Sequence, residues 1–158
     1  MLGIDPGLET TGYGLIDLST REPAIVEAGV IQTDPRQPMA RRLVRLHAEL
    51  AELLKELRPD LAAIEKLYAH YQHPLTSILM GHARGAILLA CGQAGVEVQD
   101  FASTMVKRSL TGNGHASKEQ VQQAVRMLCH LREVPQPPDV ADAIAIALCA
   151  GKRVRDFS

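Results

Sequence analysis

The sequence predicts an α/β protein in which a mixed five-stranded sheet is flanked by helices. Three observations predict it. Strand-like segments separated by turns fill the opening third. Helical periodicity takes over from Met39, and two later strand-like segments interrupt the helices at spacings that suit crossover connections. A chain of 158 residues suffices for one domain, residues 1–158, with a real core. Its 46% apolar and 22% charged content is that of a folded globular protein, not a disordered or fibrous one.

Residues 2–5, 12–18 and 25–33 read as an antiparallel meander, because Pro6-Gly7 and Arg21-Glu22-Pro23 between them are turn-like. A helix follows over 39–58. Its apolar stripe is Leu43, Leu46, Leu50, Leu53 and Leu57, and Pro59-Asp60 ends it. The continuous apolar run at 61–64, closed by Glu65, is that of a strand covered on both faces. A second helix over 75–93 stops at Gly95 before a strand over 96–101. Gly81 and Gly85 inside that helix are four apart, a spacing that permits close packing on a neighbour. Helices over 103–110 and 118–131 are joined by Gly112-Asn113-Gly114-His115, with Ser117 and Gln120 as a capping box for the second. Pro135, Pro137 and Pro138 precede a last helix over 139–152.

Cys91, Cys129 and Cys149 are odd in number and lack a CxxC pair, which reads as buried free thiols in a reducing compartment. Met1 leads directly into a strand, and the uninterrupted apolar runs at 85–91 and 143–150 are too short for a bilayer, so a cytoplasmic protein is expected. The net charge of −1 conceals an asymmetry. Residues 1–65 carry 7 basic and 11 acidic side chains, whereas residues 66–158 carry 10 and 7. Lys107, Arg108, Lys118, Arg126 and Arg132 face only Glu119 within 101–132, a local excess that attracts phosphate.

Four acids stand where sites form. Asp5 closes the first strand beside a tight turn, and Glu65 closes the fourth, so both project from a sheet end. Asp139 and Asp142, three apart, share one face at the start of the last helix, where the helix N-terminus favours their ionised forms. Hard divalent cations take oxygen ligands, and two ions ~4 Å apart clamp the attacking and leaving oxygens of a phosphoryl displacement. Taken singly, Asp139 after two prolines reads as an N-cap, Asp142 as dipole compensation and Asp5 as a turn former.

Three blocks then resemble the RuvC family of Holliday-junction resolvases: Leu2-Gly3-Ile4-Asp5-Pro6-Gly7 with Thr11-Gly12-Tyr13-Gly14, Ala63-Ile64-Glu65, and the nine residues from Asp139 to Ala147. Gly81-His82-Ala83-Arg84-Gly85 and Val106-Lys107-Arg108 through Gln122 agree as well, so the resemblance covers the whole chain. It implies an RNase H-like fold and a homodimer. It also implies paired, symmetric nicking of four-way DNA junctions with Mg²⁺, two ions per site, for which Mn²⁺ can substitute. A branch-migration helicase complex of the RuvA and RuvB type is implied as partner. Asp5, Glu65, Asp139 and Asp142 match the family's metal ligands, and Lys107 and Lys118 its lysines near the scissile phosphate. Tyr68 falls where the family often has phenylalanine. With Tyr71 it lies near Glu65, where an aromatic can stack on an unpaired base; packing on its own helix start is the alternative. His70 and His73 require no metal to explain them, and His115 reads as a solvated loop histidine, with phosphate contact as the alternative.

Competing readings are weaker. Asp-Pro-Gly followed by Thr10-Thr11-Gly12 also resembles the phosphate loop of actin-like sugar kinases, but those need two lobes and this chain supplies one. A resolvase-like nuclease for RNA or another branched DNA shares the same acids, and a non-catalytic binding module leaves all four without a task.

Overall fold

The computed structural model describes residues 1–67 and 74–156 of the chain. Tyr68, His70, Tyr71 and His73 lie outside the described residues. The opening strands pair as expected: β1 (Leu2–Asp5) is antiparallel to β2 (Thr10–Asp17), and β2 to β3 (Ala24–Gln32). Helix α1 (Met39–Leu57) crosses to β4 (Leu61–Glu65), parallel to β1, and α2 (Pro74–Gln93) crosses to β5 (Glu97–Phe101), parallel to β4. The sheet order is β3-β2-β1-β4-β5. Helices α3 (Ser103–Thr111), α4 (Lys118–Leu128) and α5 (Pro138–Asp156) complete the described chain.

Strand alternation sorts the core into two layers. Leu2, Ile4, Leu15, Ile31, Ala62 and Ile64 pack with Leu46, Leu50 and Leu54 of α1 and with Ala83 and Ile87 of α2. On the other face Ala63, Phe101 and Ile16 pack with Val106, Val121, Val125, Val140 and the run from Ile144 to Ala150. The stripe of α1 differs by one residue from the sequence reading: Leu46, Leu50 and Leu54 are buried, whereas Leu43, Leu53 and Leu57 flank them half-covered. A spacing of four keeps Leu46, Leu50 and Leu54 on one line, and each buried leucine contributes roughly 1.5–3 kcal/mol.

Helix α5 is buried along most of its length and lies unusually close to the sheet. A Cβ on Gly3 would meet the Ala143 carbonyl oxygen at 2.0 Å and the Ala147 nitrogen at 2.6 Å. Only glycine on the strand and alanine on the helix permit that distance. Asp139 is not an N-cap, because the helix already begins at Pro138 and places Asp139 in its first turn. The capping box of α4 forms as read: Gln120 N–H donates to Ser117 Oγ at 3.2 Å, and Ser117 N–H to Gln120 Oε1 at 2.8 Å. That helix ends at Leu128 rather than 131, since the chain turns left-handed at His130, φ 53°. Cys91 and Cys149 are buried free thiols, but Cys129, at the end of α4, is half-exposed.

Helix α2 departs from the reading in two ways. A Cβ on Gly81 or Gly85 would meet nothing within 4 Å, so among the described residues no neighbour packs where their spacing suits one. Leu75, Ile78, Leu88 and Leu89 are also exposed. The segment Leu75–Gln93 has a mean hydropathy of 1.3 with 22% of it buried, long and apolar enough to cross a membrane by length and composition alone. Uninterrupted apolar runs do not show this, because Arg84 and His82 divide them.

Candidate active site

Pairing register and alternation bring the first two acids together. Gly3 pairs with Ala63 and Ile4 with Ile64 across parallel β1 and β4, so Asp5 and Glu65 are the next residues on neighbouring strands. Each is two residues beyond one that faces α5 (Gly3 and Ala63), and a period of two turns both carboxylates to that side. The N-terminus of α5 is delivered by Gly12, which pairs with Asp5 in the β1–β2 ladder. A Cβ there would stand 2.1 Å from the Asp139 carbonyl oxygen. The missing side chain thus lets Asp139 and, one turn on, Asp142 approach Asp5.

The result is four half-buried carboxylates in mutual electrostatic reach. Burial, reinforced by repulsion from Glu65, Asp142 and Asp139, pushes the Asp5 carboxyl up to about 7. Burial also raises Glu65, opposed by a hydrogen bond from Ser103 and by the ammonium groups of Lys107 and Lys118. Lys118 Nζ lies 2.7 Å from Asp142 Oδ2, and this bond holds the lysine's pKa above its ordinary value. A cleft of about 220 Å³ opens over the cluster, lined among others by Glu65, Asp142, Ser103, Lys107 and Lys118. Asp5 and Asp139 stand beside it rather than in its wall.

Lys107 and Lys118 stand beside the acids, lining the cleft with Glu65 and Asp142. Arg108 does not: it is exposed on α3 and stands near Gly114, on the side of the loop that carries exposed His115. Among the described residues no three acidic, histidine or cysteine side chains are yet drawn together closely enough to hold an ion. Lys118 instead partners Asp142. The donor set nevertheless fits a hard divalent cation, because every donor is a carboxylate oxygen and the acids repel one another, adding to the effect of burial on Asp5.

Residues 1–150 match the family model described as crossover junction endodeoxyribonuclease RuvC. The chain belongs to the RuvC family. A RuvC relative from Rhodopirellula baltica is 49% identical over 149 residues, covering 94% of this chain and 84% of the relative. One from Thermosipho melanesiensis is 42% identical over 155 residues, covering 98% of each. The structure of Thermus thermophilus RuvC in complex with a Holliday junction substrate superposes with a TM-score of 0.92 at 36% identity, covering 99% of this chain and 94% of that one. The RuvC likeness thus establishes the RNase H-like fold and places the chain among crossover junction endodeoxyribonucleases.

Three residues that shape the RuvC-type site escape a reading of the sequence. Gly12 and Arg84 enter there only inside matching blocks, and Ser103 only as a helix start. A glycine in mid-strand is the available signal for Gly12. Ser103 and Arg84 give none, because their partners are distant in sequence.

Proposed function

We propose that this chain is a metal-dependent resolvase that hydrolyses phosphodiester bonds of four-way DNA junctions by paired, symmetric nicks. The observation that carries this reading is the convergence of Asp5, Glu65, Asp139 and Asp142, with Lys107 and Lys118 beside them, in a member of the RuvC family. The four carboxylates would hold divalent cations, Mg²⁺ or Mn²⁺ and two per site, whose chemistry is to activate water and neutralise charge on the phosphate. Lys107 and Lys118 bind the phosphate and stabilise the leaving oxygen. Lys118 would have to leave Asp142 Oδ2, its partner here, to reach the phosphate. Tyr68 and Tyr71 stack on unpaired bases at the crossover, and Arg108 contacts backbone phosphate beyond the cleft.

The whole chain acts as one nuclease domain, working in the cytoplasm with a branch-migration complex of the RuvA and RuvB type. It acts as a homodimer through α2, whose uncovered Ile78, Leu88 and Leu89 flank the flat strip at Gly81 and Gly85. A helix crossing that strip buries the apolar side chains and covers a patch that a soluble monomer rarely exposes. Two symmetry-related subunits also account for two symmetric nicks.

Two measurements test these readings. Labelled four-way junction, plain duplex and RNA–DNA hybrid are incubated with the protein, with and without Mg²⁺. Paired nicks in the junction alone, only with Mg²⁺, are expected; equal cutting of hybrid or duplex contradicts the substrate assignment. Sedimentation at micromolar concentration should show a dimer that Leu89→Glu converts to monomer. A wild-type monomer at that concentration removes α2 as the interface.

A further inference from the structure

Glu65 is the last residue of its strand, where a backbone would ordinarily fray. Three contacts hold it. The Lys66 N–H donates to the Phe101 carbonyl at 2.8 Å, carrying the β4–β5 ladder one residue past the glutamate. The Ser103 hydroxyl donates to its carboxylate. From the opposite face of the sheet, Arg84 of α2 donates through Nη1 to the Glu65 carbonyl at 3.0 Å and through Nη2 to the Asp100 carboxylate. The Arg84 side chain is only 15% exposed. Asp100 pairs with Ile64 in the register, so one guanidinium spans the ends of both strands.

We propose that Arg84 is a positioning residue for Glu65: it clamps the glutamate's own carbonyl to Asp100 and so sets where the carboxylate stands relative to Asp5 and Asp142. This rests on the reading of Glu65 as a site carboxylate. A planar guanidinium offers two donors at fixed separation, which suits a carbonyl and a carboxylate on adjacent strands; a lysine ammonium cannot reproduce that fork. Fixing the carbonyl fixes the peptide plane after Glu65, and with it the direction of Cα–Cβ. Loss of such an outer partner typically weakens metal affinity about 10–100-fold.

The test is Mg²⁺ calorimetry on the DNA-free protein, with junction cleavage followed across Mg²⁺ concentrations. The proteins compared are wild type, Arg84→Lys, Arg84→Met, Asp100→Asn, the double variant Arg84→Lys with Asp100→Asn, and Glu65→Gln. Arg84→Lys and Asp100→Asn should each weaken Mg²⁺ binding by about tenfold. Both should move the cleavage midpoint to higher Mg²⁺ and lower kcat while leaving the junction KM alone. The double variant should be no worse than Arg84→Lys, since both changes open one clamp. Should Arg84→Met fail to fold, the lysine variant and Asp100→Asn, at a half-exposed position, still decide the matter. Mg²⁺ affinity and kcat within twofold of wild type in both of these, alongside Glu65→Gln that has lost Mg²⁺ binding, overturns the clamp. Wild-type Mg²⁺ affinity in Glu65→Gln overturns the site reading itself, and the clamp with it.

Discussion

Replacing Asp5 by Asn is expected to abolish junction cleavage and, at the same time, to raise the melting temperature of the metal-free protein at pH 8. The loss of activity follows from removing one carboxylate of the set. Several kcal/mol of transition-state stabilisation correspond to at least ~10³-fold in rate. The gain in stability follows from the shift of Asp5 from 3.8 to about 7. An acid whose folded pKa is raised contributes its full stability below the unfolded value and loses it as pH rises through the folded one. At pH 8 the folded protein therefore carries an ionised, half-buried Asp5 against three other carboxylates, at a cost on the order of 2–4 kcal/mol. Asparagine removes that cost and keeps the shape. The expected rise is on the order of 5 °C at pH 8 and little at pH 5. Mg²⁺ should raise the wild-type melting temperature by neutralising the same charge, and should leave the Asn variant nearly unmoved. Thermal melts at the two pH values, with and without Mg²⁺, check all of this. A variant that melts below wild type at pH 8 without metal, or still cuts, contradicts the assignment of Asp5.

Gly12→Ala should be nearly as damaging to cleavage, although glycine 12 carries no chemistry. Its Cβ would stand 2.1 Å from the Asp139 carbonyl oxygen, 2.6 Å from its carbonyl carbon and 3.1 Å from its Cβ. The first two are backbone atoms, so no rotamer change relieves the clash. Either β2 or the start of α5 must move. We expect a loss of about 3 kcal/mol in stability, the range of overpacked cores. Cleavage should fall by roughly 10²-fold or more even where the protein is folded, because a displacement near 1 Å at a reacting centre has that effect. Gly92→Ala is the control: its Cβ meets nothing within 4 Å, and alanine in a helix gains about 1 kcal/mol over glycine. Urea unfolding and cleavage at saturating Mg²⁺ separate the two effects. Wild-type cleavage in Gly12→Ala would show that α5 does not need this approach.

Much of the fold is legible in the sequence because it is written at short range. The bounds of β1 and β4 coincide with the predicted segments, and α1 and α2 differ by a residue at one end. The capping box of α4 joins residues only three apart, so residue types and spacing suffice to assign both of its bonds. Local rules fail where they have a distant competitor. Asp139 resembles a cap after two prolines, yet its position follows from packing against Gly12, more than a hundred residues earlier. Gly81 and Gly85 resemble a packing site, yet among the described residues nothing packs on them.

By itself the sequence determined the element order, the apolar faces and the presence of four acids at element ends, with two lysines on the later helices. The family resemblance was readable from the same residues. Tertiary structure alone decided that Asp5 and Glu65 stand side by side, that Lys118 partners Asp142, that Arg108 lies beside Gly114, and that Arg84 reaches Glu65 through the sheet. The reason is one of range. Periodicity and capping depend on spacing along the chain, which sequence states directly. Coulomb repulsion, steric contact and hydrogen bonding depend on separation in space, and for residues in different elements only the packed sheet and helices set that distance.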